Sequence, residues 1–353
     1  MKLDENKLLA LLSKSSPIAG VFPAFEPRQE QQSMLKDIVQ AFNGNKIALI
    51  EAGTGCGKSL AYLLPAIFSA SEAQEKVVIS TNTINLQEQL FYKDIPLLLK
   101  ALNLDLSVVL VKGMGNYVCL RKFQDAFEER ILYTPEEKTE LENLSAYVEK
   151  LEKGSRSELS IRSPQLWEKI NAEHDTCNFR DCPHQQKCYF FKARKEAEDA
   201  QIMIVNHHLL FAHIAALKEG DKGILPAYQR LIIDEAHNIE DVATEYFASS
   251  VSRLGLLKTI GRLAAEKGKQ SHGKLPLLKE KIEKQFPKGL PEEMLSLISR
   301  LQIDLPAMRR DMLTVLIECF DTVQKKLIPG SFENEEMKLR IRSSFHASDG
   351  WKA

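Results

Sequence analysis

The sequence predicts an α/β protein built on a parallel sheet, and three observations support this prediction. Short apolar runs of strand length alternate with longer helix-forming stretches over about the first 250 residues. One apolar run, residues 47–50, passes into a glycine-rich turn and then into a helix-forming stretch. Another run, residues 230–233, ends in two acidic residues. Such alternation is typical of parallel strands with helices on both faces of the sheet.

The glycine-rich turn predicts a phosphate-binding loop for ATP and Mg²⁺. Its glycines let backbone N–H groups surround a phosphate, Lys58 can reach the β and γ oxygens, and the Ser59 hydroxyl can hold Mg²⁺. The strict pattern has glycine at the position of Ala52, but the Gly-Lys-Ser ending is intact. A simple glycine turn before a helix would not require that ending. The predicted nucleotide-binding residues of this loop are Ala52, Gly53, Thr54, Gly55, Cys56, Gly57, Lys58 and Ser59.

The acidic strand end supplies the expected partner of this loop. Asp234 is predicted to bind Mg²⁺ together with Ser59, and Glu235 to polarise the attacking water. In P-loop enzymes a carboxylate at the end of a neighbouring strand completes the magnesium site. The alternative, a solvated acidic strand end, is weakened by the presence of the loop.

Composition limits the remaining possibilities. The 353 residues are enough for two or three structural units, and 44% hydrophobic with 27% charged residues is typical of a globular protein. With 47 basic and 48 acidic side chains, the net charge is close to zero. A nucleic-acid site would therefore have to depend on a local group of basic residues. No apolar run reaches the length of a membrane span and no signal-peptide pattern is present. We therefore predict a cytoplasmic protein without a membrane partner.

A polar stretch after the strand at 77–81 is a candidate DNA contact. Amide and hydroxyl side chains at the carboxyl end of a strand suit a sugar-phosphate backbone. An ordinary helix N-cap at Thr81 or Asn82 is the alternative. Further strands are predicted at 107–111, 202–205 and 231–233. The candidate DNA residues in this stretch are Thr81, Asn82, Thr83 and Gln89.

Strand patterns stop between Lys112 and about Ala200, which indicates an inserted module. Its middle, residues 133–173, is charged and has few apolar anchors. A bound metal group would then have to hold the module together.

Four cysteines of the insertion could supply that group. Four thiolates can close a tetrahedral Zn²⁺ site or hold an iron–sulfur cluster. The spacing fits zinc less well, since paired Cys-x₂₋₄-Cys knuckles are missing, but it leaves both groups open. Accidental clustering is the third alternative. The four candidate ligands are Cys119, Cys177, Cys182 and Cys188.

Taken together, these motifs resemble those of the DinG-like, XPD-related DNA helicases, including the YoaA branch. The resemblance covers about residues 20–250. It rests on the order of seven segments along the chain: a Q-motif-like stretch at 22–34, the phosphate loop, Ser-Thr-Asn-Thr-Ile-Asn-Leu-Gln-Glu-Gln-Leu at 80–90, Lys-Gly-Met-Gly-Asn-Tyr-Val-Cys at 112–119, the three later cysteines, Asn-His-His-Leu-Leu at 206–210 and Asp-Glu-Ala-His at 234–237.

The resemblance implies a RecA-like motor domain that hydrolyses ATP and translocates 5′→3′ on single-stranded DNA in repair or replication. It implies that the four cysteines hold a [4Fe-4S] cluster and that Gln31 recognises adenine. It extends the DNA candidates to Asn116 and Tyr117. It also implies catalytic roles for the residues Lys58, Asp234, Glu235 and His237.

On this interpretation the motor domain comprises residues 1–111 and 196–250, the iron–sulfur module 112–195, and a helical arch-like segment 251–353. A generic helical interaction module is the alternative for 251–353. Helicases of this class use two motor domains, and no second sheet is predicted after the helices. We therefore expect an N-terminal portion that binds ATP and single-stranded DNA, hydrolyses slowly alone and does not unwind. Replication or repair proteins are the expected partners.

Two other functions remain open at this point. One is a nucleotide-gated, redox-sensing DNA-binding protein without motor activity. The other is an unrelated P-loop ATPase with a zinc knuckle that acts on protein.

Overall fold

The computed structural model describes residues 2–22, 25–53, 55–128, 133–177, 179–218, 220, 223–247 and parts of 253–327. The chain divides into two compact units, Met1–Ala248 and Ser249–Ala353. The loop, the acidic pair and the four cysteines all belong to the first unit.

A four-stranded parallel sheet forms the centre of the first unit. Its strands are β1 (Val77–Thr81), β2 (Val108–Leu110), β3 (Ile202–Asn206) and β4 (Arg230–Ile233), in the order β2-β3-β1-β4. All five residues of β1 are buried, as apolar central strands require. The predicted parallel α/β fold is confirmed. Because the strands are parallel, their carboxyl ends meet at one edge, where ligands bind in such sheets.

Eleven described helices accompany this sheet. The helix α3 begins directly at the phosphate loop, and its residues 61–70 are all buried in the main hydrophobic core. The bounds are α1 Glu5–Ala10, α2 Gln29–Gly44, α3 Lys58–Glu72, α4 Ile84–Gln89, α5 Ile95–Leu102, α6 Leu120–Glu128, α7 Pro135–Ser145, α8 Pro164–Ile170, α9 Tyr189–Asp199, α10 His207–Lys218 and α11 Ile239–Phe247. A single π-helical turn, Leu90–Asp94, joins α4 to α5.

The strand predicted at 47–50 is wrong. This segment is extended but pairs with no described strand, and the side chains of Ile47 and Leu49 are 101% and 94% exposed. The apolar pattern of the segment is that of a buried strand, but burial requires a neighbour to pair with. Within the described residues, β4 forms one edge of the sheet and its Leu231 is also partly exposed.

The expectation that residues 133–173 cannot fold by burial is also wrong. The insertion has its own hydrophobic core, which includes Leu141, Leu144, Leu166 and Ile170, each essentially inaccessible to solvent. The apolar residues are few, but they recur at intervals of three and four on α7 and α8. That spacing places them on one face of each helix.

The second unit is largely helical in its described part. Its longest described element, α12 (Glu292–Leu327), is a single helix with Pro306 inside it. Two short antiparallel strands, β5 (Ala265–Lys267) and β6 (Gln270–His272), were not predicted. Residues 328–353 of the predicted helical segment lie outside the described residues. None of the described helices has both the length and the apolar character needed to cross a membrane.

Candidate nucleotide and cysteine sites

Glycine is required at two positions of the phosphate loop. Gly55 has φ +79° and Gly57 has φ +82°, a region that other residues rarely adopt. A Cβ atom on Gly57 would also lie 2.2 Å from Nε2 of Gln31. Any side chain at position 57 would therefore be strained and would displace Gln31. Thr54 of the predicted loop lies outside the described residues.

The loop delivers Lys58 and Ser59 to the first turn of α3. Unpaired N–H groups and the positive end of the helix dipole favour an anion there. Lys58 Nζ lies 3.8 Å from Oε1 of Glu235, so the loop and the acidic strand end face each other across one crevice. The structure thus brings together two segments that are far apart in sequence.

Asp234 is held by three hydrogen bonds. Its backbone N–H donates to the carbonyl of Ser80 on β1 at 2.8 Å. Its Oδ1 accepts from the N–H of Glu235 at 3.1 Å, and its Oδ2 accepts from the hydroxyl of Tyr62 at 3.1 Å. Burial raises the pKa of Asp234 above its usual range, and the hydrogen bond from Tyr62 opposes that rise. The carboxylate therefore has a fixed orientation at the edge of the sheet.

Glu235 occupies a strained backbone conformation. Its φ of +56° lies in the left-handed region, which costs a non-glycine residue about 1–2 kcal/mol. Such strain concentrates at functional sites. The carboxylate lies between Lys58 and His237, whose Nδ1 is 3.4 Å from Oε2. Glu235 therefore points into the crevice, and the exposed His237 is beside it.

Gln31 lies on α2 and contacts the phosphate loop directly. It is buried, and its Nε2 donates to the carbonyl of Gly57 at 2.9 Å. Its Oε1 is also buried and has no hydrogen-bond partner among the described residues. One acceptor of the side chain is thus left available beside the nucleotide loop.

The polar residues after β1 differ in accessibility. Thr81 is buried and its hydroxyl donates to the carbonyl of Thr83, so its side chain does not face solvent. Thr83 is exposed and its hydroxyl caps α4 by accepting from the N–H of Leu86. The helix cap considered at Thr81 or Asn82 is therefore at Thr83. Gln89 is exposed and Asn82 is half-buried at the same carboxyl edge.

The two candidate DNA residues at the start of the insertion also differ. Tyr117 is buried in the core of the insertion, where its hydroxyl accepts from the backbone N–H of Lys112. Asn116 is half-buried and its amide donates to the carbonyl of Gly113 at 3.3 Å. The ring of Tyr117 thus contributes to packing in this conformation.

The four cysteines line one cavity, together with Phe191 and five other residues. Three short 3₁₀ turns, at 174–176, 179–181 and 185–187, lead directly to Cys177, Cys182 and Cys188. Cys119 precedes α6 and donates its backbone N–H to the carbonyl of Ile170. The turns thus bring three cysteines close to the fourth, which comes from a distant part of the chain.

Backbone N–H groups lie close to two of the cysteine sulfur atoms. The N–H of Phe179 donates to Sγ of Cys177 at 3.4 Å. Burial raises the pKa of the Cys188 thiol, and backbone N–H groups of Phe191 and Phe190 oppose the rise. Among the described residues, however, no three Cys, His, Asp or Glu side chains converge closely enough to hold a single metal ion. All six cysteines are free thiols.

The sequence did not reveal the roles of two residues of the crevice. Tyr62 was not considered, although it lies three positions after Ser59 and therefore on the same face of α3. His207 follows β3; its side chain is fully buried, and its Nδ1 is 2.7 Å from the hydroxyl of Ser80. Burial lowers the pKa of His207. The Asn-His-His motif marked the position of His207 but gave it no role.

A glycine-rich loop at a helix N-terminus, facing the acidic end of a parallel strand, defines a P-loop nucleotide-binding domain. Residues 28–152 match the DEAD/DEAH box helicase family, and residues 138–256 match the DEAD_2 family. The chain is a homologue of the YoaA and DinG helicases, which confirms the resemblance predicted from its motifs.

Three relatives illustrate the extent of the match. The ATP-dependent DNA helicase YoaA of Haemophilus influenzae is 34% identical over 251 residues, which cover 70% of this chain and 38% of the relative. YoaA of Escherichia coli is 35% identical over 242 residues, 68% of this chain and 37% of the relative. The ATP-dependent DNA helicase DinG of Escherichia coli is 33% identical over 244 residues, 63% of this chain and 33% of the relative. The chain thus spans less than two fifths of the length of these relatives.

Proposed function

We propose that this chain is the nucleotide-binding motor part of an ATP-dependent DNA helicase. The observation that carries the proposal is the approach of Lys58 to Glu235 across the crevice. Lys58 and Glu235 form an ion pair, so a triphosphate bound by Lys58 would lie with its γ-phosphate beside the Glu235 carboxylate.

Some residues of the crevice are proposed to bind the nucleotide and others to act in its hydrolysis. Lys58 and the helix N-terminus hold the β and γ phosphates, and Ser59 and Asp234 hold Mg²⁺, which supplies positive charge against the triphosphate. Glu235 orients the attacking water. His237 lies beside the Glu235 carboxylate and can interact with it. Oε1 of Gln31, which has no hydrogen-bond partner within the part of the chain that the structure describes, can accept from the amino group of adenine.

Binding of a fluorescent ATP analogue, measured with and without Mg²⁺, tests this site. The wild-type chain should bind in a magnesium-dependent manner. The substitution Lys58→Ala should abolish binding, because it removes the charge that meets the phosphates. Lys36→Ala, at an exposed position on α2, is the matched control and should bind normally. Absence of magnesium-dependent binding by folded wild-type protein would refute the proposal.

We infer further that the cysteine cavity holds a [4Fe-4S] cluster. Four thiols line one cavity, and N–H groups are directed at two of the sulfur atoms. Four thiolates can hold either a zinc ion or a cluster. The absence of paired Cys-x₂₋₄-Cys knuckles and the family resemblance of the motifs support the cluster as our choice.

Anaerobic purification of the protein distinguishes a [4Fe-4S] cluster from a zinc ion. A cluster gives a brown protein with broad visible absorption and stoichiometric iron and acid-labile sulfide. A colourless protein containing one equivalent of zinc would refute the cluster and support the zinc alternative. We propose a cytoplasmic location, because six cysteines without a disulfide among them are typical of a reducing compartment.

Single-stranded DNA is the proposed partner of the edge that carries Asn82, Thr83 and Gln89. Asn82 and Thr83 directly follow β1, and the exposed Gln89 is the last residue of α4. On the family resemblance of the motifs alone, we also propose travel in the 5′→3′ direction, a role in repair or replication, an arch built from 251–353 and contacts with repair proteins.

An oligothymidylate binding assay tests the DNA edge. Gln89→Ala should weaken binding severalfold, and binding should weaken further with rising salt. Gln40→Ala, a surface amide on α2, serves as the control. Equal affinities of Gln89→Ala and Gln40→Ala would remove Gln89 from the proposed interface.

A further inference from the structure

Tyr62 is the buried polar residue that joins the two halves of the nucleotide crevice. It lies on α3, one turn after Ser59, and only 2% of its surface is exposed. Its hydroxyl donates to Oδ2 of Asp234 at 3.1 Å, although Asp234 follows β4 much later in the sequence. The helix that begins at the phosphate loop is thereby tied to the strand end that carries the acidic pair.

The remaining contacts of Asp234 show what this bond fixes. The backbone N–H of Glu235 occupies Oδ1, and the bond from Tyr62 occupies one lone pair of Oδ2. These two hydrogen bonds restrict the rotation of the carboxylate. Its remaining lone pairs are left for a magnesium ion or for a water bound to one.

The chemistry of a phenol suits this role. The hydroxyl of Tyr62 donates one hydrogen bond to a carboxylate oxygen of Asp234 and so fixes the direction in which that oxygen points. A phenylalanine would fill the same space in the core but could not donate. The hydroxyl, rather than the ring, is therefore the functional part of Tyr62.

We propose that Tyr62 is a positioning residue for magnesium-dependent nucleotide binding, acting through Asp234. This inference rests on the function proposed above. It assigns to a core tyrosine the task of holding the magnesium carboxylate in one orientation.

The test is a magnesium titration at a fixed concentration of fluorescent ATP analogue. Tyr62→Phe should raise the half-saturating Mg²⁺ concentration about tenfold, as loss of a hydrogen bond to a metal ligand typically does. Binding of the analogue in EDTA should not change. Thermal unfolding of the same samples verifies that the variant is folded.

A matched control separates this effect from a general loss of stability. Tyr189 is also a buried tyrosine, and its hydroxyl donates to the carbonyl of Val148 in the other core of the first unit. Tyr189→Phe should destabilise the chain to a similar degree and leave the magnesium titration at its wild-type midpoint. A shift of equal size in Tyr189→Phe would overturn the proposal.

The second measurement is the magnesium titration of Tyr62→Phe combined with Asp234→Asn. If Tyr62 acts through Asp234, adding Tyr62→Phe to Asp234→Asn should cause no further loss of magnesium-dependent binding. An additional tenfold loss in the double variant, or an unchanged midpoint in Tyr62→Phe, would refute the positioning role. Failure of the wild-type chain to show any magnesium dependence would instead refute the proposed function itself.

Discussion

The motor sheet and the cysteine insertion hold their functional groups in different ways. Asp234 and Glu235 follow a strand whose neighbour, β1, is buried along its whole length, and the sheet ladder continues into the backbone of Asp234. Three of the cysteines instead end short 3₁₀ turns beside a separate, smaller core. A strand end is fixed by main-chain pairing, whereas a set of turns depends more on side-chain contacts and on the group it holds.

This difference implies that the two sites can be disabled separately. The largest expected effect is that of Cys182→Ser, which should abolish the visible absorption of the protein because one of four ligands is lost. Magnesium-dependent nucleotide binding should persist, since the crevice shares no residue with the cavity. Lys58→Ala should give the reverse pattern. The comparison fails if either variant loses both properties.

The core of the insertion offers the next largest effect. Leu144→Ala should destabilise the insertion by about 2–5 kcal/mol, because the buried side chain leaves a cavity. Hydrogen exchange should show this loss in α7 and α8 while the sheet stays protected. The control is Ile84→Ala on the exposed surface of α4. Unaltered exchange in Leu144→Ala would mean that the bound group alone holds the insertion together.

The ion pair between Arg230 and Glu75 should give a smaller, pH-dependent effect. Arg230 makes two hydrogen bonds to the carboxylate, at 2.7 and 2.8 Å, at the start of β4. These bonds lower the pKa of Glu75 below its ordinary value of 4.5. A lowered carboxyl pKa contributes stability that is complete above the ordinary value and is lost as the pH falls through the folded value.

Urea unfolding at two pH values measures this contribution. Glu75→Gln should cost about 1 kcal/mol at pH 7 and progressively less as the pH falls below 4.5. Glu72→Gln, which breaks the more exposed pair with Lys7, should cost less at pH 7. A loss in Glu75→Gln that is the same at both pH values would exclude the ion pair as its cause.

The smallest effect is expected from the segment before the phosphate loop. Replacing both Ile47 and Leu49 with threonine should change the free energy of unfolding by less than about 0.5 kcal/mol, because both side chains are already exposed. Val78→Ala in the buried β1 should cost several times more. A large loss in the threonine double variant would show that the segment is buried in solution.

Local sequence was sufficient for several features of this protein. The phosphate loop, the acidic strand end, the four cysteines and the parallel sheet could be predicted because each depends on short-range spacing or on the period of apolar residues. Glycine at positions 55 and 57 illustrates this, since the backbone conformation of the loop admits little else. The insertion could likewise be delimited by the loss of strand patterns.

Only the tertiary structure decided which of these groups are buried and which meet. The apolar run at 47–50 resembles a buried strand but lacks a described partner, and Thr81 has the chemistry of a DNA contact but is covered by its neighbours. The contact of Tyr62 with Asp234 joins residues whose separation in sequence gives no sign of it. Burial and such contacts depend on which distant segments pack together, and that information is not contained in any local pattern.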